Sequence, residues 1–101
     1  MKTYFKDLTL STRRRLELVD ITREVEEAVR ESGIRNGLCL IHAPHATAAI
    51  IANEHESGLM ADILEKVSED FPVDGRWRHN RIDDNAAAHL ASALISSSRI
   101  F

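Results

Sequence analysis

Pro44-His45-Ala46-Thr47-Ala48-Ala49-Ile50-Ile51-Ala52-Asn53-Glu54 is apolar at almost every position between its proline and its closing Asn-Glu pair. A run this short reads either as a strand covered on both faces or as a buried helical piece, and the strand is the better fit. Side chains alternate along a strand, so an extended segment would point His45, Thr47 and Asn53 to one face, with Glu54 just past the end. An imidazole, a hydroxyl and an amide would then line one side of an apolar element. Buried polar groups need partners, so such a line calls for something bound. The plainer account has His45 capping a turn after Pro44 while Asn53-Glu54 opens the next helix. On this segment alone, that account carries more weight.

Towards the N-terminus, Asn36-Gly37 supplies a turn, and Leu38-Cys39-Leu40-Ile41 opens a buried strand. A helix is predicted over about 22–32, with Ile21, Val25, Ala28 and Val29 on one stripe. Asp20 or Thr22 caps its start, and Gly33 fits the left-handed position past its end. Residues 3–10 and 15–19 read as two strands joined around Arg13-Arg14-Arg15.

Towards the C-terminus, Leu59, Met60, Ile63, Leu64 and Val67 make an amphipathic stripe over 57–69, which Phe71-Pro72 ends. A loop over 74–82 leads to a last helix over about 84–96, and residues 98–101 resemble the start of another strand. The pattern predicts one α+β domain over 1–101, a small sandwich of helices packed on a largely antiparallel sheet.

Composition narrows the function classes. The 101 residues suffice for one core but not two. Thirteen Lys and Arg against 16 Asp and Glu give a net charge of -3, with no global pull towards nucleic acid or acidic membrane. Cys39 is alone, which excludes a disulfide framework. The sequence lacks a spanning apolar run and a signal-like N-terminus, so a cytoplasmic protein without a membrane partner is expected.

A second constellation, His79-Asn80-Arg81-Ile82-Asp83-Asp84-Asn85 followed by His89, falls at the start of the last helix. Acids there cap N–H groups and oppose the helix dipole, which explains one carboxylate well but two plus Asn85 less well. Asn85 and His89 are four apart and share a helical face. A helical wheel puts Ala87, Leu90, Ala91, Leu94 and Ile95 in the core and His89 almost opposite. His89 therefore faces water, the ordinary account, or a second protein surface.

His45, His79 and His89 with Asp83, Asp84 and Glu54 offer donors that Zn²⁺ accepts, whereas the carboxylates and Asn85 alone suit Mg²⁺ better. No two of these histidines have the i, i+4 spacing of a helical zinc site. His42 and His55 have no assigned role. The interleaved Arg76-Trp77-Arg78-His79-Asn80-Arg81 also admits single-stranded nucleic-acid binding, though one aromatic in an acidic chain makes a poor stacking platform.

The run Pro44–Glu54 resembles the His-x-Thr-Ala-Ala…Asn-Glu signature of the YjbQ-like family. Trp77-Arg78-His79-Asn80…Asp83-Asp84-Asn85-Ala86-Ala87-Ala88-His89-Leu90 resembles its second signature, and Ser32-Gly33-Ile34, Gly37 and Asp62 also match. The resemblance implies an α+β sandwich that assembles as a homotrimer with a polar pocket near subunit contacts. It implies a secondary thiamine-phosphate synthase activity, in which hydroxymethylpyrimidine diphosphate is joined to a thiazole phosphate and pyrophosphate is expelled. Its site residues map to His45, Thr47, Asn53, Glu54, His79, Asp83, Asp84, Asn85 and His89. Asp62 is also in place, although it lies away from its helix's apolar stripe. Family members continue through further strands, so a domain shortened at its C-terminus is expected.

Two carboxylates at a helix start would repel a diphosphate unless a divalent cation sat between them. The expectation is therefore a metal (zinc or magnesium) held by Asp83, Asp84 and Glu54, with His45, His79 and His89 as ligands or proton donors. Arg78 and Arg81 would steer phosphate. A metal-holding trimer without catalysis is the alternative.

Overall fold

A computed structural model describes residues 1–101 as two compact units, Met1–Cys39 and Leu40–Phe101. It contains three α-helices, one 3₁₀ turn and an antiparallel two-stranded sheet, an α+β architecture as the sequence predicts. No helix is long and apolar enough to cross a membrane.

The first unit is built on helix α1, Thr22–Ser32. The Asp20 carboxylate opens it by accepting from the Thr22 N–H at 3.0 Å and the Thr22 hydroxyl at 2.6 Å. Gly33 closes it in the left-handed region at φ 68°, donating to the Arg30 carbonyl, as a residue without Cβ is suited to do. Residues 3–10 and 15–19, expected as strands, form no ladder. A strand is defined by paired neighbours, and no backbone hydrogen bond pairs these residues; within the unit, side chains tie the segment down. Tyr4 donates to Glu31 at 2.7 Å, and Lys6 pairs with the same carboxylate at 2.8 Å.

In the second unit β1, Leu40–His42, pairs antiparallel with β2, Ser98–Ile100, in the register Leu40↔Ile100, Ile41↔Arg99, His42↔Ser98. Helix α2, Ser57–Asp70, half-buries the predicted stripe of Leu59, Met60, Ile63, Leu64 and Val67. Its cap is Glu56, not the Asn53-Glu54 pair: the Glu56 carboxylate accepts from Gly58 N at 2.5 Å and Leu59 N at 3.0 Å. Those two N–H groups hold the Glu56 carboxyl below its usual range.

Helix α3, Ala86–Ile95, starts two residues later than predicted. Its first N–H is met by the Asn80 side chain at 3.3 Å, so neither Asp83 nor Asp84 caps it. Its buried residues are Ala86, Ala87, Ala91 and Ser92, whereas Leu94, expected in the core, is 74% exposed. The rest of the expected stripe holds: Ala87 and Ala91 are buried and Leu90 and Ile95 half-buried, so only Leu94 turns outward. The small residues of this face let neighbouring backbone approach closely.

The expected strand over 46–53 is absent. Pro44 has no N–H to give a ladder, and residues 45–47 form a turn in which His45 N bonds Ala43 O at 2.7 Å. The period-two alignment of His45, Thr47 and Asn53 goes with it.

Two outcomes follow from this packing. Ala87→Leu adds volume to a closely packed alanine face and should destabilise by about 1–3 kcal/mol, measured by urea unfolding. Because the folded Glu56 carboxyl is depressed, its contribution is present above the unfolded carboxylate range and lost as pH falls through the folded value. Glu56→Gln should therefore flatten the acid limb of a stability-against-pH curve and leave its alkaline limb unchanged.

Candidate functional site

The histidines are brought together around α3, all within the second unit. Residues 43–50 lie along the end of this helix and the segment after it. Ala43 N bonds Ser97 O at 2.8 Å, Ile50 N bonds Ser96 O at 3.0 Å, and the Ser92 hydroxyl donates to Ala48 O at 2.5 Å. Arg99 completes the connection, with Nε on Ile50 O at 2.7 Å and Nη2 on Ile95 O at 2.9 Å. Ser96 sits at φ 94°, a conformation that costs a residue with a Cβ on the order of 1–3 kcal/mol and persists because these bonds over-determine it.

Two cavities result, with His89 in the wall of both. One, of about 400 Å³, is lined by His45, Ala46, His89, Ser92, Ala93, Ser96 and Ser97. The other, of about 580 Å³, is lined by Arg76, Trp77, Arg78, His79, Ala86, His89 and Leu90. His79 and His89 meet edge to face with ring centroids 4.9 Å apart. The second cavity adjoins the N-terminal turn of α3, where the helix dipole favours negative charge.

Local hydrogen bonds set each side chain. Asn85 Oδ1 lies 3.1 Å from His79 Nε2; facing an acceptor, Nε2 is the donor and Nδ1 keeps its lone pair when the ring is neutral. Thr47 bonds the His45 ring through both its backbone N–H and its hydroxyl. The predicted groups Thr47 and Asn85 thus each hold a histidine, His45 in the wall of one cavity and His79 in the wall of the other. The Asp83 carboxyl accepts from Asp84 N at 2.7 Å. That bond foremost, then a side-chain bond with Asp84 and the nearby His79 and His89, holds it below the usual carboxylate range.

Asn53 and Glu54 are not gathered in: Asn53 Oδ1 is spent on Glu54 N at 2.8 Å, and neither residue lines a cavity. Asp62 is exposed on α2. No three His, Cys, Asp or Glu side chains of this chain are grouped as metal donors, so His45, His79, His89 and Asp84 do not form a closed ligand set within it.

The sequence assigns no role to Ser96 or Ser97 and brings in Arg76 and Asn80 only through the nucleic-acid alternative. Ser96 and Ala93 lie seven and four residues beyond His89, on the helical face that His89 defines, so their place beside it was readable from spacing. Asn80 had no such signal, because its role depends on the 3₁₀ turn Arg78–Arg81.

The sequence profile of the UPF0047 protein YjbQ-like family matches residues 6–101. A UPF0047 protein of Methanothermobacter thermautotrophicus is 43% identical over 99 residues, 98% of this chain and 69% of that protein. YugU of Bacillus subtilis is 38% identical over 98 residues, 93% of this chain and 71% of its own length. Among solved structures, a YbjQ-like protein of unknown function from Sulfolobus solfataricus P2 superposes with a TM-score of 0.89 at 55% identity, over 91% of this chain and 67% of that one. An uncharacterized YjbQ/UPF0047 protein from Clostridium acetobutylicum gives 0.83 at 35%, over 90% and 70%.

Trp77 is the chain's one tryptophan, and its Nε1 donates to Pro72 O at 2.7 Å. A Cβ on Gly75 would lie 2.5 Å from that nitrogen. Gly75→Ala should therefore displace the indole, break its bond and shift tryptophan emission to the red. An unchanged spectrum would show that the indole is not held in this way.

Proposed function

This chain belongs to the YjbQ-like UPF0047 family, and on that premise we propose that it binds a phosphorylated small molecule in the arginine-lined cavity, with secondary thiamine-phosphate synthesis as the reaction. The observation that carries the reading is the lining itself. Arg76, Arg78, His79 and His89 surround one aromatic ring next to a helix N-terminus, a set suited to an anionic phosphate attached to a flat heterocycle.

In that reaction a bond forms between the thiazole nitrogen and the pyrimidine methylene carbon. The bond from that carbon to the diphosphate oxygen breaks, and pyrophosphate departs with the electron pair. The protein's task is to accommodate charge accumulating on the leaving oxygens. Arg76 and Arg78 take up that charge, and His89, between the two cavities, supplies a proton to the departing diphosphate.

A divalent metal has no three-donor seat in this chain, so in this reading Mg²⁺ enters as the counter-ion of the diphosphate substrate. The assembly proposed is a cytoplasmic homotrimer. Its support is the family resemblance together with Leu94, an apolar side chain 74% exposed on α3.

Arg76→Ala and Arg78→Ala should each raise KM for the diphosphate roughly tenfold or more, the worth of a charge-assisted contact. EDTA should reduce turnover, and Mg²⁺ should restore it in proportion to the diphosphate present. Undiminished turnover after complete metal removal rules out the cation. Sedimentation should give three chains per particle, and Leu94→Glu should yield single chains.

A further inference from the structure

His45 has its hydrogen bonding specified from the backbone. The Thr47 N–H donates to His45 Nδ1 at 3.1 Å, and Thr47 Oγ1 lies 2.8 Å from the same nitrogen. A main-chain N–H can only donate. Nδ1 therefore carries a lone pair, and the ring's single proton is on Nε2. The turn is held from both sides, by His45 N on Ala43 O at 2.7 Å and by Ala43 N on Ser97 O at 2.8 Å.

A neutral imidazole that ligates a metal through Nε2 has the opposite arrangement, with its proton on Nδ1 donated to an acceptor behind it. Here a donor stands behind the ring. The cavity lining agrees with this polarity. Ser92 spends its proton on Ala48 O and Ser96 spends its own on Ser98 O, so both offer only lone pairs. No lysine or arginine lines this cavity. The Nε2–H of His45, the His89 ring and the hydroxyl of Ser97 are the side-chain donors that remain.

We infer that His45 is a hydrogen-bond donor to an oxygen of the bound ligand, not a metal ligand, and that Thr47 is the positioning residue that fixes its tautomer. The ligand class is a phosphorylated small molecule: its anionic end lies among Arg76 and Arg78, and a further oxygen passes His89 to reach His45. This deepens the reading of the arginine-lined cavity and rests on it for the identity of the ligand.

Long-range proton–nitrogen correlation spectra of the full chain labelled with ¹⁵N-histidine read the tautomer without any substitution. The expected result is Nε2–H with unprotonated Nδ1 at His45, no change at either nitrogen on adding Zn²⁺, and a shifted Nε2–H signal on adding inorganic pyrophosphate. An Nδ1–H tautomer, a zinc-induced change at His45, or a His45 signal indifferent to pyrophosphate overturns the assignment. His45→Gln keeps an N–H donor and should retain pyrophosphate affinity within about threefold, while His45→Ala should lose roughly tenfold. Equal losses in the two variants also overturn it. If the spectra behave as expected and no thiamine phosphate forms, the reaction reading fails and the role of His45 stands. Turnover accompanied by an Nδ1–H ring gives the reverse.

Discussion

Residues 43–50 have neither a helix nor a ladder of their own, so their backbone groups must find partners elsewhere, and they find them around the end of α3 and the segment after it. Ser92 Oγ to Ala48 O, Ser97 O to Ala43 N and Ser96 O to Ile50 N fix the segment at three points within eight residues. Buried backbone polar groups left unpaired are costly, which makes this attachment specific where apolar contact alone would not be. Its consequence is geometric. The turn at 45–47 is set beside the His89 face of α3, so two histidines forty-four positions apart line one cavity.

The same attachment shows which parts of the fold were legible in the sequence. Helices α1 and α2 were read closely because each carries its own signals: Asp20 and Gly33 at the ends of one, a regular apolar stripe and Phe71-Pro72 on the other. Their boundaries depend on neighbours within a few residues. The β1–β2 pair was legible only as two apolar fragments, since its register depends on residues nearly sixty positions apart. The segment at 46–53 was misread because strong β propensity has no effect without a paired backbone, and propensity is a weak prior against tertiary context. For the same reason residues 3–10 form no strand.

The candidate site divides along the same line. Both motif regions are evident in the sequence as concentrations of polar groups in apolar surroundings, and the structure sets Thr47 on the His45 ring and Asn85 on the His79 ring. Common to both cavities is His89, which is half-buried rather than directed at water. The wheel puts His89 almost opposite the core stripe, whereas Ala86 and Ser92 are also buried and extend the covered face towards it. Helices that bury small residues bring backbones close, and close approach lets Asn80 reach Ala86 N and Ser92 reach Ala48 O. Asn53 and Glu54 were grouped with His45 only by a strand that does not form.

The two outer histidines carry their protons in complementary ways. His45 accepts at Nδ1 and offers a proton at Nε2; His79 donates from Nε2 to Asn85 and keeps a lone pair at Nδ1. Each arrangement is imposed by a partner from its own local segment, two residues away in one case and six in the other, so neither depends on a ligand. His89 lies between them with no such constraint, in contact with the His79 ring and near the ionised Asp83. The fixed polarity of the site therefore comes from the histidines either side of His89, the one histidine common to both cavity walls.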